Sequence, residues 1–139
     1  MDCIFCKIIS GEIPALNVAE DELNRAFLDI NPCSPGHTVV IPKKHYERLD
    51  DMTRREAEAL FGFASEVSKR VCRAMGTSDC NIGINNGPMA GQVVWHTHLL
   101  IIPRFPNDGG GSVHSVVRIP VNKEALPEIA EKIIKEFGK

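Results

Sequence analysis

Short apolar stretches rich in β-branched and aromatic residues break up the first part of the chain. Residues 25–30 (Arg-Ala-Phe-Leu-Asp-Ile) and 37–42 (His-Thr-Val-Val-Ile-Pro) flank Asn31-Pro32-Cys33-Ser34-Pro35-Gly36, a run dense in turn formers, and predict two strands joined by a loop. At Thr53 the period changes. Thr53-Arg-Arg-Glu56 has the form of a capping box, apolar residues follow at Leu60, Ala64, Val67, Val71 and Met75, and Gly76 supplies a stop, which predicts a helix over 53–75. Residues 80–87 alternate towards a Gly-bearing turn, and the β-branched and aromatic stretch 93–102 predicts a central strand. Beyond the Gly-rich loop 108–112, a further strand is expected near 114–119. A closing helix is expected over 123–137, where Ile129, Ile133, Ile134 and Phe137 keep helical spacing and Pro127 suits the first turn but not the interior.

Strands clustered before and after one long helix, without regular β-α alternation, point to an α+β fold with a mostly antiparallel sheet, one long helix and a C-terminal helix. No internal repeat stands out. A doubly wound nucleotide fold is disfavoured, since the chain has neither a Gly-rich dinucleotide fingerprint nor a phosphate-binding loop.

At 139 residues, with 43% hydrophobic and 24% charged residues, the chain suits one globular domain with one core. Its apolar runs fall well short of the roughly 20 residues that span a bilayer, so neither membrane insertion nor secretion is expected. A formal net charge of -2 gives no basic field for a long nucleic acid, though a small anionic ligand needs only a local site. The cysteines, Cys3, Cys6, Cys33, Cys72 and Cys80, are odd in number and irregular in spacing, which speaks for a reducing, cytoplasmic setting rather than a disulfide framework.

Candidate chemistry concentrates in two places. In a strand over 93–102, His96, His98 and Leu100 would share one face, so two imidazoles would point the same way, each able to act as metal ligand or nucleophile near neutral pH. Cys3-Ile-Phe-Cys6 has the spacing of a zinc half-site. A redox use of the pair would need a preceding strand, for which residue 3 leaves no room. One arrangement open at this stage joins Cys3 and Cys6 to both His96 and His98, as the metal centre of an interaction module.

Several ordered motifs together carry a resemblance. They are Cys3-Ile-Phe-Cys6-Lys-Ile-Ile with Gly11-Glu-Ile-Pro14, then Phe27-Leu-Asp-Ile-Asn-Pro32, Gly36-His-Thr-Val-Val-Ile-Pro-Lys43, Gly91-Gln-Val-Val-Trp-His-Thr-His98 and Ile101-Ile-Pro-Arg104. Over about residues 2–104 the chain resembles the Hint branch of the histidine triad (HIT) family; the tail, 105–139, is less diagnostic. The resemblance implies a single HIT domain over 1–139, a homodimer with a continuous sheet, and a purine mononucleotide or adenylate as ligand. It implies hydrolysis or transfer at the α-phosphate of adenosine phosphoramidates or related adenylates, through a nucleotidyl intermediate on His98. By the same matching, Asp29 and Ile30 hold the ribose and base, and Asn85 with Gly91, Gln92 and Val93 faces the phosphate with backbone and amide donors. His37 stands beside the nucleophile. A structural zinc is held by Cys3, Cys6, His45 and His96.

The sequence departs from that pattern at two positions. Leu100 stands where the family has the third histidine of its triad, and Val93 where phosphoramidases often place Ser. Leucine has no hydrogen-bonding group, and losing one such donor costs about 100- to 1000-fold in turnover, so a purine-nucleotide-binding protein with weak or absent catalysis stands beside the enzyme as a second expectation.

Overall fold

The structure is a computed structural model that describes residues 2–139. Five strands, β1 (Asn17–Glu20), β2 (Asn24–Leu28), β3 (Thr38–Pro42), β4 (Cys80–Ile84) and β5 (Leu99–Pro103), form one antiparallel sheet in the order β1-β2-β3-β5-β4. Helix α1 (Ile4–Ile9) opens the chain, α2 (Arg54–Met75) separates β3 from β4, and α3 (Leu126–Phe137) closes it. The fold is α+β, as the pattern predicts.

Register decides which side chains share a face. Ala26 pairs with Val40 and Val40 with Leu99, and this face, with Ile101, packs on Leu60, Phe63, Ala64 and Val67 of α2. On the other face Phe27 pairs with Val39 and Val39 with Leu100. There Phe27, Val39 and Ile41 form a second cluster with Cys3, Phe5 and Ile8 at α1. The sheet is thus the middle of three layers, and Leu100 lies on the α1 side.

The predicted long helix forms with the expected ends. Thr53 Oγ1 accepts from Glu56 N–H at 3.2 Å while Glu56 Oε1 accepts from Thr53 N–H at 3.1 Å. Gly76 ends the helix in the left-handed region at φ 76°, and its N–H bonds the Cys72 and Arg73 carbonyls. Tyr46 OH donates to Glu56 at 2.7 Å, which ties this N-terminus to the segment leading in from β3.

Three expectations are corrected. The central strand begins at Leu99 rather than at 93, because the preceding backbone is bonded elsewhere: Thr97 N–H donates to the Tyr46 carbonyl at 2.6 Å, and the Gln92 side chain donates to the Val94 carbonyl. No strand forms over 114–119. Residues Val113–Val116 make a single 3₁₀ turn, exposed and without a neighbouring strand, after Arg104 and Asp108 fold the Gly-rich loop back through paired bonds of 2.8 and 2.9 Å. The closing helix starts at Leu126, behind a 3₁₀ turn at Lys123–Ala125, with Pro127 in its first turn. The sequence pattern missed α1 and β1, each six residues or fewer.

All residues of α3 are exposed, its apolar stripe of Ile129, Ile133 and Phe137 included.

Thr53→Ala removes the side-chain half of the capping box and is expected to lower stability by about 1 kcal/mol. Leu60→Ala, at a fully buried position, is expected to cost about 2–5 kcal/mol. Urea unfolding of both variants tests the assignment; a capping loss as large as the core loss would contradict it.

Candidate active site

The N-terminal helix carries half of one cluster. Cys3 caps α1, its Sγ accepting from Cys6 N–H at 3.4 Å, so a single turn sets both sulfurs on one side. Two imidazoles from distant segments meet them. Cys3 Sγ lies 3.5 Å from His96 Nδ1, Cys6 Sγ lies 3.4 Å from His45 Nδ1, and the two Nδ1 atoms are 3.2 Å apart. One ligand atom from each of Cys3, Cys6, His45 and His96 lies within 4.8 Å of all the others, so the four could hold a metal ion. The set is the one the family resemblance implies; the arrangement with His98 in place of His45 does not form.

The donor chemistry fits a cation. His96 is fully buried, and burial drives its imidazole down to about 4, which keeps it neutral. Its Nε2–H donates to the Pro42 carbonyl at 2.8 Å, which fixes the tautomer and leaves the Nδ1 lone pair facing the sulfurs. Burial, reinforced by the adjacent Cys3, pushes the Cys6 thiol up. A bound cation would reverse that shift and satisfy four donors that otherwise crowd one another.

His98 is held two residues beyond. Its Nδ1–H donates to the His96 carbonyl at 2.8 Å, so Nε2 keeps its lone pair. Its ring packs edge-on against Phe5 with centroids 5.2 Å apart, and Phe5 meets His96 and Phe27 in the same edge-on manner. One aromatic ring on α1 therefore braces both imidazoles. His98 retains 9% exposure, against none for His96.

The remaining residues fall into smaller groups. Asp29 Oδ1 accepts from Asn31 N–H at 2.8 Å, and Oδ2 faces His37 Nε2 at 3.6 Å, beyond hydrogen-bond reach. His37 Nδ1 accepts from Cys33 N–H, so Nε2 carries the proton, and this buried donor has no partner among the described residues. Burial lowers the His37 imidazole while Asp29 opposes the shift. Asn85 lies against Gly91, whose φ of 94° favours glycine. Ile30 and Val93 are exposed.

Gln92 departs from expectation. Its Oε1 accepts from Gly87 N–H at 2.8 Å, and its Nε2 donates to the Glu47 carbonyl at 2.6 Å and the Val94 carbonyl at 3.0 Å. The side-chain amide is consumed by backbone and shapes the loop; it is not a free donor. Sequence reasoning also missed Phe5 and the Pro42 carbonyl. The only signal for Phe5 was an aromatic residue between the two cysteines, and nothing marks a carbonyl.

Comparison with known proteins identifies the family. The family described as the HIT domain matches residues 10–107. A HIT-like protein of Methanocaldococcus jannaschii is 55% identical over 109 residues, 77% of this chain and 82% of that protein. The adenosine 5'-monophosphoramidase of Schizosaccharomyces pombe is 38% identical over 133 residues, 96% of each chain. A crystal structure of a HIT family protein from Bacillus subtilis superposes with a TM-score of 0.86 at 39% identity, covering 97% of this chain and 96% of that one. With its ordered motifs, its antiparallel sheet and these likenesses, the chain belongs to the HIT family, in the Hint branch.

Proposed function

We propose that this protein is a nucleotide hydrolase or nucleotidyl transferase that acts at the α-phosphate of adenosine phosphoramidates or related adenylates, with His98 as nucleophile. The observation that carries the reading is the bond from His98 Nδ1–H to the His96 carbonyl, which in the neutral ring leaves the Nε2 lone pair free. The activity of the S. pombe relative, 38% identical over 96% of both chains, supports the reaction class. His98 Nε2 attacks phosphorus, the leaving group departs, and water then cleaves the nucleotidyl-histidine. Asp29 accepts from the ribose hydroxyls, with Ile30 beside the base, and the unpartnered Nε2–H of His37 supplies a donor next to that carboxylate. Asn85 and the backbone of Gly91, Gln92 and Val93 face the phosphate.

The metal we assign to the cluster is zinc, in a structural role. Tetrahedral zinc, with Zn–N of about 2.0–2.1 Å and Zn–S of about 2.3 Å, sets His–His donors about 3.3 Å and Cys–His donors about 3.6 Å apart. The protein's separations of 3.2 Å and 3.4–3.6 Å suit those edges. Four protein ligands leave no open position, so the ion's contribution is to pin α1, and Phe5 with it, beneath the imidazoles. The chain is further read as a homodimer, because a 12-residue helix such as α3 is marginal alone in water and its apolar stripe is exposed. Five thiols outside any disulfide suit a cytoplasmic setting, and no helix among the described residues is long and apolar enough to cross a membrane.

Leu100 favours a second reading, purine-nucleotide binding with little or no turnover, since it places an apolar side chain where the family has a histidine.

Incubation with an adenosine phosphoramidate and acid-free quenching should trap one adenylyl group on His98, lost in His98→Ala. Nucleotide binding with no covalent adduct and no turnover above that variant would select the second reading. Elemental analysis should find about one zinc per chain in the wild type and in His98→Ala, but less than a fifth of that in His45→Ala, together with a lowered melting temperature. Equal metal content in His45→Ala and wild type would remove the assignment.

A further inference from the structure

The loop between β2 and β3 brings a thiol, an imidazole and a carboxylate together. Leu28 pairs with Thr38, so Asp29 and His37 stand opposite each other at the mouth of the loop, and Asp29 N–H donates to the His37 carbonyl at 3.0 Å. Within the loop His37 N–H donates to the Ser34 carbonyl at 3.1 Å, and Ser34 Oγ donates to the Pro103 carbonyl at 2.8 Å. The turn so fixed leaves Cys33 exposed beside the imidazole: its Sγ lies 3.5 Å from His37 Nδ1, whose lone pair also accepts from Cys33 N–H at 3.2 Å. On the far side of the ring, Nε2 lies 3.6 Å from Asp29 Oδ2.

A thiol, an imidazole within reach of its proton and a carboxylate behind the imidazole are the parts of an activated nucleophile. His37 is 7% exposed, and its Nε2–H has no hydrogen-bond partner among the described residues. Burial lowers the imidazole while Asp29 opposes the shift, so the resting ring is neutral and able to accept a proton, with a carboxylate at ion-pair distance from the charge it gains. Arg104, held in its charged form first by Asp108 and last by Cys33, adds a cation within electrostatic reach of the sulfur. Both β2 and β3 are interior strands, so a sheet continued through either edge strand does not pair with this loop. The other thiols are placed differently: Cys3 and Cys6 face the histidine cluster, and Cys72 is buried against the Asp79 carbonyl, burial pushing its thiol up to about 11.

We propose that Cys33, with His37 as its base and Asp29 behind the ring, is a reactive thiol that forms a mixed disulfide with low-molecular-weight disulfides, and that the adduct closes the nucleotide site. The second half rests on the assignment of Asp29 to the ribose. The Sγ proton passes to His37 Nδ1 as Sγ attacks one sulfur of the disulfide. The S–S bond breaks, its electron pair leaves on the other sulfur, and that thiolate takes the proton from Nδ1. One thiol and one disulfide enter, and one mixed disulfide and one thiol emerge, so the disulfide is the oxidant. The group left on Cys33 then stands beside His37 and Asp29.

The purified protein is treated with glutathione disulfide and each cysteine is followed by peptide mass spectrometry. Cys33 should be modified at least about tenfold faster than Cys72 and Cys80; equal rates overturn the proposal. His37→Gln should slow Cys33 at least about tenfold near pH 7 but bring it close to wild type near pH 10, where hydroxide takes the proton unaided. Equal slowing at both pH values means that His37 only holds the loop, and overturns its role as base. Slow labelling of Cys72 in the variant shows that it is folded, and Asp29→Asn, expected to slow Cys33 with the same pH dependence, replaces it if it is not. Calorimetry with adenosine monophosphate should show affinity at least about tenfold weaker in the adduct, restored by dithiothreitol. An adduct with unchanged affinity overturns the closure. Failure of the unmodified protein to bind the nucleotide removes the ribose assignment and the closure with it, while the labelling rates still decide the thiol.

Discussion

Three separate groups of His96 each hold a different part of the site. Its Nε2–H bonds the Pro42 carbonyl at the end of β3, its Nδ1 faces Cys3, Cys6 and His45, and its own carbonyl accepts from His98 Nδ1. The first bond forces the neutral tautomer that the second role needs, and the third fixes the orientation of the neighbouring imidazole. Burial reinforces the arrangement, because a fully buried imidazole without a counter-charge resists protonation. The Cys/His cluster and the proposed nucleophile are therefore not independent features: disturbing the ring of His96 moves the carbonyl that orients His98.

The layering of the sheet explains why this can happen in a small protein. With α2 on one face and α1 on the other, residues of β5 alternate between a core that only needs filling and the face that carries the candidate site. Leu99 and Ile101 are wholly buried against α2, while Leu100 is half-buried on the α1 side. Departing from strand geometry before Leu99 frees the carbonyl of His96 from ladder bonding, so it can accept from a side chain. The lost ladder bonds are replaced by Thr97 N–H to Tyr46 and by the Gln92 amide, whose three contacts are all to backbone. Gln92 thus serves the site by holding its loop.

Much of this was legible in the chain. The capping box at Thr53 and Glu56 marked the long helix to within a residue, because a helix N-terminus needs local partners for its N–H groups and the sequence supplies them three residues apart. Strands β2 and β3 announced themselves as short apolar stretches between turn formers, and β4 by its alternation towards a Gly-bearing turn. The stretch 93–98 misled for the same reason: Val93, Val94 and Trp95 favour extended backbone, yet strand pairing needs a neighbour in register, and Tyr46 and Gln92 claimed those backbone groups first. The strand expected near 114–119 does not form either; Val113–Val116 make a 3₁₀ turn instead.

What the sequence determined by itself is the inventory: two cysteines three residues apart, two histidines two residues apart, a leucine following them, and a motif order specific enough to name a family. Only the tertiary structure decided how these residues are shared out. That His45, 39 residues from Cys6, joins the cluster and His98 does not, and that a proline carbonyl sets a tautomer, both depend on strand register and on contacts between segments far apart in the chain. Spacing along a chain fixes which side chains are neighbours within one element; which elements meet is fixed by burying the two faces of the sheet.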